Sequence, residues 1–226
     1  MDGHTERHFD DELAALKERL VVMGGLCENM IQASTKGLVQ RDMSLSAEVF
    51  ANEEVVNQLH LEIDDRCIKL FALRTPVAGD LRTIMAAMKI NNELERIADQ
   101  ACNITQNTAE VLKHPQLKAL TDIPNMSAVS ISMLKDSLDS FVRRDADLAE
   151  AVLTRDDSVD RMKSILFKEM LAFMIAETAA IPQALDMILI ARNLERVADH
   201  ATNIAEGVIF MVKGKDIRHQ GAAANQ

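Results

Sequence analysis

An eleven-residue string occurs twice in this chain with little change. Leu94 to Ile104 reads LERIADQACNI, and Leu194 to Ile204 reads LERVADHATNI. Eight of the eleven positions are identical, at a spacing of 100 residues in a chain of 226. Such a chain folds as two copies of one helical unit. Each string carries Glu-x-x-x-Asp-x-x-x-Asn: Glu95, Asp99 and Asn103, then Glu195, Asp199 and Asn203. Residues four apart share one face of a helix, so each copy lines up oxygen-bearing side chains along a single stripe. Like charges at that spacing destabilise an isolated helix by roughly 0.2–0.5 kcal/mol per pair. Repetition of this unfavourable pairing at matched positions points to a positive partner. The plain alternative is a solvated acidic face, with Arg96 and Arg196 as its neutralisers.

Composition supports helices. The chain has seven Phe, no Trp and no Tyr, and thirteen Met. Strands draw on β-branched and aromatic runs, whereas Leu, Met and Ala suit helix-on-helix packing. A net charge of −10 gives no counterion-release advantage on a polyphosphate, so nucleic acid is excluded as a partner class. It also opposes anionic lipid surfaces. The most apolar window, Ile181 to Ala191, is interrupted by Gln183 and Asp186 and is too short to insert into a membrane. Cys27, Cys67 and Cys102 form no Cys-x-x-Cys motif and read as free thiols in a reducing cytoplasm, and no signal peptide is seen.

The helices can be placed from their apolar spacing. Leu13, Leu16, Leu20, Met23, Cys27, Met30, Ser34 and Gly37 form a heptad-like seam on a first helix from about Asp10 to Gln40. Arg41-Asp42 turns the chain, with Asp42 or Ser44 as cap. A second helix carries Val49, Val56, Leu59, Ile63, Cys67 and Leu70. Thr75-Pro76 separates it from a third, which Lys113-His114-Pro115 ends. Residues 116–125 read as the linker between repeats. The pattern then returns: Arg144-Asp145, Val152, Val159 and Leu166 match Arg41-Asp42, Val49, Val56 and Ile63 at a spacing of 103. The expected fold is all-α, six long helices in two tandem three-helix bundles over residues 9–115 and 122–213. Residues 1–8 and 214–226 are expected to be loose ends. His4 and His8 have metal-ligand spacing but lie in a polar terminus.

A cation held by Glu95 and Asp99 needs further oxygens from a neighbouring helix. The second helix offers Glu53 and Asn57, four apart, and repeat two offers Asp156 and Asp160 at the matching place. Both pairs fall on the flank of their helix's apolar stripe, so the expected site is an open groove on the bundle surface. Asp64 and His60 share the flank of Glu53, where repeat two has Phe167 and Lys163. The Glu-x-x-His of di-metal oxidases is absent, and His200, off the acidic stripe, reads as a surface residue. Oxygen donors suit Mg, Mn or Ca, and carboxylates also accept Fe or Zn.

The chain resembles the PhoU family of phosphate-specific transport accessory and regulatory proteins. The motifs carrying the resemblance are LERIAD, LERVADHATNI, EEVVN (Glu53 to Asn57), DDSVD (Asp156 to Asp160), RTPVAGDLR (Arg74 to Arg82) and KGKDIRH (Lys213 to His219). The resemblance implies pseudo-two-fold symmetry between the bundles and metal ions, Fe or Zn, on each. By position the ligands are Glu53, Asn57, Glu95 and Asp99 in repeat one, and Asp156, Asp160, Glu195 and Asp199 in repeat two. Asn57 departs from the acidic form of the motif. The implied role is not catalysis. It is negative regulation of phosphate uptake and starvation signalling by a homodimer that contacts the transporter's ATPase subunit and a sensor histidine kinase. Two other readings stand beside it. A Mg-dependent all-helical nucleotide pyrophosphatase also uses carboxylate pairs, but needs cationic side chains to hold phosphates. Arg192 has Asn92 as its counterpart, so no repeated phosphate clamp is present. A plain helical scaffold with solvated acidic stripes is the third.

Overall fold

The computed structural model describes residues 2–73, 78–115 and 122–217. Repeat one contains α1 (Asp2–Gln40), α2 (Ser46–Leu73) and α3 (Ala78–Val111). Repeat two contains α4 (Asp122–Arg143), α5 (Ala146–Leu153), α6 (Asp156–Ala176) and α7 (Ile181–Lys213). No strand occurs among the described residues. Each repeat is a three-helix bundle: α1 packs on α2 and α3, while α4, α5 and α6 pack on α7. The repeats join along α3 against α7 and α1 against α4.

The expected seams are the observed cores. Leu16, Leu20, Met23, Cys27 and Met30 of α1 are buried, as are Val49, Val56, Leu59, Ile63, Cys67 and Leu70 of α2. Each fully buried Leu, Ile or Met contributes about 1.5–3 kcal/mol. At Gly24 a Cβ would strike the side chain of Leu138, so α1 meets α4 where a residue has no side chain.

The matching turns are built alike. Arg41 and Arg144 have φ of 55° and 56°, left-handed values uncommon outside glycine. Behind them the Asp42 N–H donates to Gly37 O and the Asp145 N–H to Ser140 O, both at 2.9 Å, closing the preceding helix with a Schellman bond. The same aspartates then cap the next helical turn: Asp42 accepts from Ser44 N at 2.8 Å, and Asp145 from Leu148 N at 3.0 Å. The Arg41 guanidinium donates to Leu112 O (2.9 Å) and His114 O (2.6 Å), holding the end of α3.

Three details differ from the sequence reading. Helix α1 begins at Asp2, not near Asp10. No proline interrupts residues 2–10, so the helix continues through the polar stretch. The side chains of His4 and His8 lie outside the described set, as do residues 74–77 with the Thr75-Pro76 turn, residues 116–121 of the linker, and residues 218–226. Helix α4 starts at Asp122, inside the expected linker. The long second helix of repeat one has two pieces, α5 and α6, as its counterpart. They part at Thr154–Arg155, where the Arg155 guanidinium reaches α4, donating to Asp136 Oδ2 at 2.7 Å and Ser132 Oγ at 3.0 Å. Repeat one has Asn52 at that position and an unbroken helix.

Candidate metal centres on the two repeats

In repeat two, α6 presents Asp156 and Asp160 and α7 presents Glu195 and Asp199. The four carboxylates sense one another. Burial pushes the Asp199 carboxyl up to about 6, and the charges of Glu195, Asp156 and Asp160 push the same way. Asp156 is raised for the same reasons, burial first, then Asp160, Asp157 and Glu195. One ammonium answers this field. Lys163 Nζ lies 2.6 Å from Glu195 Oε1 and 2.9 Å from Asp160 Oδ1, tying α6 to α7.

In repeat one, α2 presents Glu53 and Asn57, and α3 presents Glu95 and Asp99. Asp99 is raised by burial, then by Glu95 and Glu53. The Cys102 thiol donates to the Glu53 carboxylate and stays protonated, its pKa pushed up to about 12 by burial and that acceptor. Cys67 is likewise held at about 12, and Cys27 is raised by full burial. All three cysteines are free and buried. Asn57 is exposed on α2. The sequence counterpart of Lys163 is His60, whose Nε2 lies 3.7 Å from Asp64 Oδ2.

The donor set fits a hard or borderline cation. It is all oxygen, it crosses two helices in each repeat, and burial, then mutual repulsion, raises the acids Asp99, Asp156 and Asp199. Lys163 stands where positive charge is stabilised. Among the described residues no three His, Cys, Asp or Glu side chains are close enough together to enclose an ion as they stand. To hold an ion the carboxylates would have to close in, and in repeat two Lys163 would have to withdraw.

One polar contact was not legible as such in the sequence. His200 is not a free surface residue. Its Nδ1 lies 2.7 Å from Glu93 Oε2 across the α3–α7 seam, and Asn203 Nδ2 donates to the same oxygen at 3.1 Å. Burial alone would raise Glu93, but the hydrogen bonds from His200 and Asn203 and the charges of His200 and Arg96 hold it below the usual carboxylate value. His200 also acts on both Asp99 and Asp199, so it stands between the two acidic stripes. The repeat counterparts of Glu93 and His200 are Asn193 and Gln100, both buried. Polar residues at two matched pairs of positions, each on the apolar side of its helix, were the available signal.

A two-repeat helical bundle with carboxylate stripes on paired helices defines the class of protein. The PhoU domain matches it twice, over residues 20–108 and 123–208, and the chain belongs to that family. A phosphate-specific transport system accessory protein PhoU homolog from Pseudomonas putida is 34% identical over 219 residues, covering 96% of this chain and 86% of the relative. The accessory protein PhoU of Escherichia coli is 31% identical over 221 residues, covering 98% and 92%. The crystal structure of PhoU from Pseudomonas aeruginosa superposes with a TM-score of 0.88 at 33% identity, covering 92% of this chain and all (100%) of that one. The phosphate transport system regulatory protein PhoU from Streptococcus pneumoniae superposes at 0.86 with 28% identity. No described helix is long and apolar enough to cross a membrane.

Proposed function

We propose that this chain is a metal-binding regulatory adaptor of a phosphate transport system. It restrains phosphate uptake and starvation signalling through contacts with the transporter's ATPase subunit and a sensor histidine kinase. The observation that carries the reading is the doubled PhoU domain, together with near-full-length relatives named as phosphate transport accessory proteins. The ligands are Glu53, Asn57, Glu95 and Asp99 in repeat one and Asp156, Asp160, Glu195 and Asp199 in repeat two, with iron or zinc as the ion. The adaptor works in the cytoplasm as a homodimer. The buried, protonated thiols suit a reducing compartment.

The adaptor is not an enzyme in this reading. Accessory and regulatory are the terms in its relatives' names. A metal-dependent pyrophosphatase would turn over a panel of nucleotides with Mg²⁺ or Mn²⁺, and sustained turnover would replace the adaptor reading. The direct test is deletion of the gene in its host. Phosphate accumulation, or starvation genes left on in rich medium, is the expected result. Normal phosphate control in a strain with no second copy sinks the reading.

A further inference from the structure

Repeat two carries a groove that the metal reading does not use. Between α6 and α7 lies a cleft of about 470 Å³, with Leu166, Phe167 and Ile188 among its lining and Lys163, Lys168, Arg192 and one acid, Glu195, on its walls. Phe167 is 49% exposed, an unusual state for so large an apolar group. The apolar surface continues along both helices. Leu171 and Ile175 follow Phe167 at four-residue spacing on α6, and Ile181 and Leu185 do the same on α7. Ile175 is 77% exposed. From Phe167 to Ile175 the stripe runs about 12 Å at the rise of an α-helix, room for two turns of an opposing helix.

The rim gives the groove a sign. Lys168 and Arg192 hold no ion pair with any described residue, although the chain carries a net charge of −10. Lys163 is turned toward Asp160 and Glu195 at one end. Repeat one reverses this chemistry. Where repeat two has Lys163, Phe167, Lys168 and Arg192, repeat one has His60, Asp64, Asp65 and Asn92. Asp64 there accepts from Asn91 Nδ2 at 3.0 Å, so a carboxylate occupies the place of the phenyl ring. Repeat one keeps exposed Ile68, Leu81 and Met85 where repeat two has Leu171, Ile181 and Leu185, so the basic rim and Phe167 are what set the repeat-two face apart.

We propose that this groove docks an acidic amphipathic helix of a partner protein, its apolar residues at i, i+4 and i+8 seated along Phe167, Leu171 and Ile175 and its carboxylates paired with Lys168 and Arg192. The inference deepens the adaptor reading by naming the chemistry of a partner segment. A second copy placed face to face through this groove would bring the two basic rims together, because a two-fold contact uses the same patch on both subunits. A lipid surface is opposed by the overall negative charge and by the acidic stripe that begins at Glu195.

The test uses two helical probe peptides with the same leucine face, one with Glu and one with Lys on the polar face, each with a single Trp among the leucines. The chain has no Trp and no Tyr, so emission reports on the peptide alone. The Glu peptide is expected to bind the full chain about tenfold more tightly than the Lys peptide at low salt, with the advantage shrinking as salt rises. Phe167→Asp, which copies repeat one, should weaken the Glu peptide by about tenfold, since central anchors dominate such contacts. Ile68→Asp on the matching face of repeat one should leave it unchanged. Circular dichroism checks that both variants remain helical. The proposal is overturned if the Lys peptide binds as well, or if Ile68→Asp weakens binding as much as Phe167→Asp. It is also overturned if Phe167→Asp abolishes a self-association seen by sedimentation, or flotation with anionic vesicles, while peptide binding is unaltered. None of these measurements touches phosphate control, so failure here leaves the adaptor reading to its own test.

Discussion

Lys163 Nζ bridges Glu195 Oε1 at 2.6 Å and Asp160 Oδ1 at 2.9 Å, so one ammonium joins the two helices whose carboxylates a metal ion would join. A metal ion bound there would compete with the lysine for the same oxygens. Lys163→Met should therefore raise the affinity of repeat two for Mn²⁺, Fe²⁺ or Zn²⁺ by several-fold. It should also lower the stability of the metal-free chain by about 1 kcal/mol, the upper range for an ion pair at most a third exposed. Titration calorimetry and thermal melts of the two proteins measure both effects. Unchanged affinity would show that Lys163 and the ion do not share the site.

The pH dependence comes from the raised acids. Asp199 titrates at about 6 in the folded chain, above the ordinary aspartate value of 3.8. The native state then holds a proton that the unfolded state has released. This group destabilises the metal-free fold above pH 6 and ceases to do so as the pH falls through 6 toward 4. Asp99 and Asp156 act in the same direction. Metal affinity should move the opposite way, falling through that window as protons displace the ion. Asp199→Asn should flatten both profiles, which melts with and without metal between pH 5 and pH 8 would record.

Glu195→Ala with Asp199→Ala should remove the repeat-two share of bound metal and leave the helical signal intact, because both side chains sit outside the core. Elemental analysis of protein purified without a metal-affinity tag reads the result. Full metal content at both repeats in the double variant would reject the ligand assignment.

Chelation should not unfold the chain. The seams of α1 and α2 and the apolar faces of α3 and α7 are buried without any contribution from an ion, unlike a zinc finger that folds only around its metal. The melting temperature should drop modestly, by the amount mass action on the native state requires. Loss of most helical ellipticity at room temperature on adding chelator contradicts this.

The duplication explains why so much of the fold could be read directly. Leu16 through Met30 and Val49 through Leu70 declared their buried faces by spacing, and Arg41-Asp42 against Arg144-Asp145 located matching turns that share a left-handed arginine and an aspartate cap. The candidate ligands were legible because like charges at helical spacing are locally unfavourable and recur. What the repeat could not reveal is how the halves differ in their contacts between helices. The break at Arg155 depends on Asp136 and Ser132 of another helix. The Lys163 bridge and the Cys102–Glu53 bond depend on how neighbouring helices face each other. Periodicity reports a helix's own faces, and such cross-helix contacts lie beyond it.

The contact between Glu93 and His200 is the sharpest of those differences, and it yields the last prediction. His200→Ala removes the 2.7 Å partner of a half-buried carboxylate and leaves Glu93 with only the Asn203 amide of its two hydrogen-bonding side chains. A buried acceptor stripped of one partner costs about 1–3 kcal/mol. His200→Gln should lose less, because an amide still donates and repeat one carries Gln100 at that position. Glu93 is held below its ordinary value of 4.5, so its contribution is full above that pH and fades as the pH falls through the lowered value. The deficit of His200→Ala relative to the parent should therefore be clear at pH 7 and narrow toward pH 3. Urea unfolding at a series of pH values measures this, and a deficit that stays constant across the series would show that the histidine acts through packing, not through the carboxylate.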